Sequence, residues 1–177
     1  MYITLPELAE RPGPRELAQV AGTLAQPVRD EALMDATLRG LDRSAWSAEE
    51  QAFADAALKR IIDAVAEADA VIDGFLARRG YAPLPLALPA TSAGKNVLAS
   101  WSRAISRYYL NKSRTTKEDN DPVVRDYRDA LRMLGWLADG KYSLGGADPE
   151  AKSNTGTDVR FDAAAPVFGR NQLNAFR

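Results

Sequence analysis

SAEEQAFADAALKRIIDAVAEADAVIDGFLARRG occupies residues 47–80, and its spacing decides the fold class. Ala54, Leu58, Ile61, Val65, Ala68, Ile72 and Phe75 recur at alternating steps of four and three. That is the period of one helix face, not the two-residue alternation of a strand. Ser47 followed by Glu50 forms a capping box, which satisfies orphaned amides of the first turn. Gly80, directly after Arg78 and Arg79, supplies a stop that tolerates the left-handed conformation. The stretch predicts a helix of about 32 residues, roughly 48 Å long. Such a helix is too long to hide in a small globule and suits the span of a bundle.

Working outward, the flanks are helical too. Thr4-Leu5-Pro6-Glu7 is a second capping box with proline in the first turn, and Pro12-Gly13-Pro14 stops that helix near Arg11. Pro14 opens a short helix from Arg15 to Ala21. A third is expected from Pro27 to Gly40, with Val28, Leu33 or Ala32, Ala36 and Leu41 as its apolar stripe. Beyond Gly80, Pro83, Pro85 and Pro89 forbid a helix and leave an extended connection. Ser92 or Thr91 caps the next helix, Ala93 to Asn111, striped by Leu98, Trp101, Ile105 and Tyr108. After a polar loop, Asp121 caps and Pro122 opens a last helix running to about Asp139. Its expected face is Val124, Tyr127, Leu131, Leu134 and Ala138, and Gly140 ends it.

After Gly140 the periodicity stops. Gly145, Gly146, Pro149, Gly156, Pro166 and Gly169 break any pattern. Phe161, Val167, Phe168, Leu173 and Phe176 stand as separated apolar anchors, with Arg160, Arg170 and Arg177 between them. Two readings of this segment stand: a solvated tail, and an arm that orders on a partner. The expected fold class is therefore all-α, a helical bundle with one long helix. The bundle fills residues 1–145, and an extended C-terminal arm follows over 146–177.

Composition narrows the chemistry. The chain has 177 residues, 23 lysines and arginines against 24 aspartates and glutamates, and neither cysteine nor histidine. The length suits one domain with its own core. Near-neutral charge advertises neither nucleic-acid binding nor acidic disorder. Without imidazole or thiol, zinc–thiolate sites, disulfides, cysteine nucleophiles, Ser-His-Asp triads and imidazole acid–base catalysis are excluded. The first residues carry no signal-peptide pattern and no run is long enough to span a bilayer, so a soluble, cytoplasmically made chain is expected.

Candidate sites are sparse. Asp63, Glu67, Asp69 and Asp73 share the long helix, but nothing converges on them, and a solvated face explains them better than a metal or acid–base cluster. Asp73, beside the stripe, is expected to cap or to pair with an arginine. Lys112, Arg114 and Lys117, with Arg103 and Arg107 on the preceding helix, are a candidate phosphate contact. Glu118, Asp119 and Asp121 follow at once and weaken it. Trp101, Tyr108, Tyr109, Tyr127 and Trp136 fall on helical faces and read as core. No cofactor or metal site is expected.

One combination of pieces resembles a known family. Ala68-Asp69-Ala70-Val71-Ile72-Asp73-Gly74-Phe75-Leu76, then Arg78, Tyr81 and Pro83-Leu84-Pro85-Leu86, is similar to the Mu-like bacteriophage connector proteins. There a long helix ends in an acid-glycine-aromatic-leucine turn followed by a proline-leucine repeat. The resemblance continues in Ile105-Ser106-Arg107-Tyr108-Tyr109-Leu110, in Val124-Arg125-Asp126-Tyr127 through Leu134 and Leu137, and in Gly140-Lys141-Tyr142-Ser143-Leu144-Gly145. Met1-Tyr2-Ile3-Thr4, Glu7-Leu8 and Glu16-Leu17 look like the family's start, while residues 22–47 are longer than its usual linker.

The resemblance implies a structural, non-enzymatic adaptor in the virion neck, assembled in the host cytoplasm. It implies a homo-oligomeric ring, commonly of twelve copies, under the portal protein and above a tail, stopper or terminator protein. Genomic DNA would pass through its lumen without specific binding. The C-terminal arm, with Arg160, Phe161, Val167, Phe168, Arg170, Leu173, Phe176 and Arg177, would reach the portal. The competing expectations are a helical DNA-binding packaging factor resembling a small terminase, told apart by salt-dependent DNA affinity, and a carboxylate-metal enzyme, told apart by stabilisation with magnesium or manganese.

Overall fold

The computed structural model describes residues 1–112, 121–145 and 148–149. Within these residues six helices follow one another: α1 (Leu5–Glu10), α2 (Pro14–Ala21), α3 (Glu31–Arg39), α4 (Ala48–Arg79), α5 (Ala93–Asn111) and α6 (Pro122–Ala138). Among the described residues there is no strand.

The caps work as the sequence predicts. Ser47 and Glu50 close a reciprocal capping box on α4, and Thr4 and Glu7 do the same on α1. Ser92 accepts from the Lys95 amide at the start of α5, and Asp121 accepts from the Val123 amide at the start of α6. Gly80 ends α4 at φ 100°, a left-handed conformation that any Cβ would strain.

Two cores explain why α4 is long. Its first half, through Ala57, Ile61 and Val65, packs with Ile3, Leu8, Leu17, Met34 and Leu38 from the N-terminal segment, α1, α2 and α3. Its second half, through Ala68, Ile72 and Leu76, packs with Leu98, Trp101 and Ile105 of α5 and Leu134 and Leu137 of α6. The helix is the shared wall of both clusters, so neither half can fray without opening a core.

Expectations on three of these helices need correcting. The third helix starts at Glu31 under an Asp30 cap, not at Pro27. Its buried face is Leu33, Met34, Ala36, Thr37 and Leu38, whereas Ala32 and Leu41 are exposed. Gly40 turns left-handed at φ 67° and swings Leu41 off the helix axis before the stripe can reach it. On α6 the deepest residues are Val124, Ala130, Leu134 and Leu137, with Tyr127, Leu131 and Ala138 half-buried. The core face is rotated toward the Ala130 side because α6 seats against both α4 and α5. On α4, Leu76 lies in the core and Phe75 at its edge.

Candidate functional site

The anchors singled out for partner binding, Arg160, Phe161, Val167, Phe168, Arg170, Leu173, Phe176 and Arg177, lie outside the described residues. So do Arg114 and Lys117 of the basic loop. What the structure does place is the start of the C-terminal segment, residues 141–145 and 148–149.

This stretch is fastened to the α4–α5 corner. Leu144 is buried in the α4–α5–α6 core. It lies against the first turn of α5, where a Cβ at Gly94 would sit 2.6 Å from the Leu144 carbonyl oxygen, so only glycine permits the approach. Asp148 accepts a hydrogen bond from the Tyr81 hydroxyl and another, 3.0 Å long, from the Leu144 amide. Burial raises the Asp148 carboxyl, but hydrogen bonds from Ser143, Tyr81 and Leu144 outweigh it and hold the group below the ordinary aspartate value. Pro149 lies beside Gly80, against a shallow cavity of about 290 Å³ that Tyr81, Pro83 and Leu86 also line.

The acidic residues of α4 divide. Asp63 and Glu67 are exposed, as a solvated face requires. Asp69 contradicts that expectation: it is 9% exposed. One carboxylate oxygen accepts from the Ser102 hydroxyl at 2.8 Å. The other accepts from the Tyr2 amide at 3.0 Å and lies 3.5 Å from the Met1 amine. The signal was present in the spacing, because Asp69 stands four residues after Val65 and three before Ile72. Among the described residues Asp73 pairs with no arginine and caps nothing; it accepts from the Tyr2 hydroxyl. That hydroxyl in turn accepts from the Leu86 amide at 2.9 Å. The N-terminus, α4, α5 and the proline-rich connection are thus tied at one polar node.

Two predictions follow from the node. Asp69→Ala strands the Tyr2 amide and the Ser102 hydroxyl, and a buried unsatisfied group costs about 1–3 kcal/mol. Urea unfolding should show a loss of roughly 3 kcal/mol with an unchanged slope. The second concerns alkali. Burial, then the hydrogen bond to Asp73, raises the Tyr2 hydroxyl above its ordinary value. The folded state therefore holds this proton more tightly than the unfolded chain, so its contribution is intact below pH ~10 and falls as pH rises beyond it. Tyr2→Phe should flatten that part of the melting-temperature profile.

Of the basic candidates, Arg107 is engaged within the bundle. Arg107 donates to both Glu16 oxygens, at 2.7 and 3.0 Å, and lies 3.8 Å from Asp126. Arg103 is half-buried and Lys112 exposed. Among the aromatics, Trp101 is core, and Tyr108 and Tyr127 stack at 3.9 Å with half-buried Tyr109 beside them. Trp136 corrects the core reading: it is 43% exposed, with the Arg132 guanidinium 5.7 Å from its ring. It sits four residues past Arg132, on the outer face of α6. Among the described residues no group of three or more acidic side chains is placed to hold a metal ion, and no helix is long and apolar enough to cross a membrane.

Six helices among the described residues, built on one long shared helix, fit the class of helical phage proteins that the motifs resemble. The family model for bacteriophage Mu Gp36 matches residues 2–163, and the chain belongs to that family. It is 31% identical over 148 residues to the Mu-like prophage FluMu protein gp36 of Haemophilus influenzae, covering 84% of this chain and 95% of the relative. It is 34% identical over 110 residues to gene product J of Escherichia phage Mu, covering 62% and 70% respectively. The matched stretch includes Arg160 and Phe161 and stops before Val167, Phe168, Leu173 and Phe176.

Proposed function

We propose that this protein is a structural head–tail connector subunit without enzymatic activity. It forms a ring in the virion neck, between the portal protein and a tail, stopper or terminator protein. DNA passes through the lumen of that ring. The observation that carries the reading is membership of the Mu Gp36 family over nearly the whole chain. The architecture supports it: a bundle built on a 32-residue helix, with the start of the C-terminal segment clamped to it at Asp148. Such a design divides labour between a wall that packs side by side and an arm that reaches a different partner.

The test is removal of the gene product from an infecting phage. Full heads and finished tails should accumulate unjoined, and supplying the protein should join them. Joined, infectious particles would contradict the connector reading. Empty heads would favour the packaging-factor alternative. A conduit should also grip DNA weakly. Duplex binding at physiological salt should therefore be feeble, and Arg114→Ala with Lys117→Ala should change it little. A sub-micromolar affinity that collapses in the double variant would contradict this, because such affinity scales with phosphate contacts.

A further inference from the structure

Two helix faces are not packed against any other described helix, and they match. Between residues 61 and 77, α4 carries four acids and no base, with Asp63 and Glu67 exposed. The same stretch exposes Ile62, at 40%, and the small residues Ala66, Ala70, Gly74 and Ala77. A Cβ added at Gly74 would meet nothing within 4 Å. The outer face of α6 carries Arg125, Arg128, Arg132 and the exposed Trp136. Its two acids are occupied: Asp126 lies 3.8 Å from Arg107, and Asp129 accepts from Arg132 at 2.8 Å.

The bundle fixes the relative level of the two faces. Arg78, at the end of α4, pairs with Asp139, at the end of α6, a separation of 61 residues. The two helices run parallel, since the tilted Tyr109–Tyr127 pair lies near Glu67 at the other end. To within one residue of that offset, Arg125 stands level with Asp63, Arg128 with Glu67, Arg132 with Ala70, and Trp136 with Gly74. A rotation about an axis parallel to the helices keeps each residue at its level. It therefore brings base against acid and the large indole against the smallest side chains.

We infer that the outer face of α6 in one copy of this chain packs, in register, on the outer face of α4 in the next copy. The occupant of each face is a second copy of the chain, and the contact is heterologous, the kind that closes a ring. Arginine and tryptophan are the side chains most often found dominating such contacts. The inference rests on the connector reading, which requires a lateral subunit contact, and names the surface that makes it.

The chain has no cysteine, so a designed pair reports without background. Ala70→Cys and Arg132→Cys, made in separate batches and mixed, should join through a short bismaleimide, both at high concentration and in assembled particles. Adding Asp63→Arg and Glu67→Arg to the first should cut the yield about tenfold. Adding Arg125→Glu and Arg128→Glu to the second should restore it. Far-ultraviolet circular dichroism and the melting temperature, unchanged throughout, guard against misfolding. If particles contain the protein but this pair never joins, the assigned surface is wrong and the connector reading stands. If finished particles lack the protein, both fall together.

Discussion

Ile105→Asp should unfold the domain or leave it several kcal/mol less stable. Ile105 is fully buried in the cluster that joins α4, α5 and α6. Removing its side chain forfeits about 1.5–3 kcal/mol of apolar burial. The larger cost is the carboxylate, which would sit in a cluster of apolar residues that includes Ile72, Trp101 and Leu134. An unpaired buried charge is among the few mechanisms that exceed about 4 kcal/mol in one substitution. Because α4 is the wall of both cores, the loss should spread to the α1–α3 side as well. Urea unfolding followed by circular dichroism should show one transition, shifted far toward zero denaturant. A variant that melts like the parent would mean the α5 stripe does not face the core.

The second large effect separates folding from docking. Truncation after Ala165 removes Val167, Phe168, Leu173 and Phe176 together with Arg170 and Arg177. Among the described residues, the last contacts that fasten the segment are those of Asp148 and Pro149, before the cut. The truncated chain should therefore keep its melting temperature. On the proposed function it should fail to join portal-bearing heads. Each large anchor contributes roughly 1.5–3 kcal/mol on burial, and ordering such a segment costs about 2–5 kcal/mol. A net loss near 4 kcal/mol is about a thousandfold in affinity. Joining at the parental rate would show that the arm is not the docking element. Unfolding would show that the segment belongs to the subunit's own core.

The helices were legible because local chemistry settles them. Ser47, Ser92, Asp121 and Gly80 act at their own positions whatever lies across the core. The face that a helix buries is less local. The Ala93–Asn111 stripe is read correctly at Leu98, Trp101 and Ile105, since this helix packs along one stripe of apolar residues. On α6 the face is set by α4 and α5 together, on α3 by α1, α2 and α4, and Gly40 removes Leu41 from the pattern.

Buried polar residues were the hardest to read. Asp69 occupies a core position by spacing, but a carboxylate there makes sense only once Ser102 and the Tyr2 amide are seen to meet it. Those partners lie 33 and 67 residues away, beyond any periodicity. The candidate portal-binding residues from Arg160 to Arg177 follow from composition, spacing and resemblance, and nothing in the bundle places them. The matching faces of α4 and α6 emerge only from the level at which Arg78 meets Asp139.

The central claim, a ring subunit in the neck, is tested most directly by imaging. Particles carrying a compact label on this subunit should be examined by negative-stain electron microscopy. The account predicts label at the head–tail joint of every complete particle, on a ring directly beneath the portal. Label on the capsid surface or the distal tail, or its absence from finished particles, would contradict it.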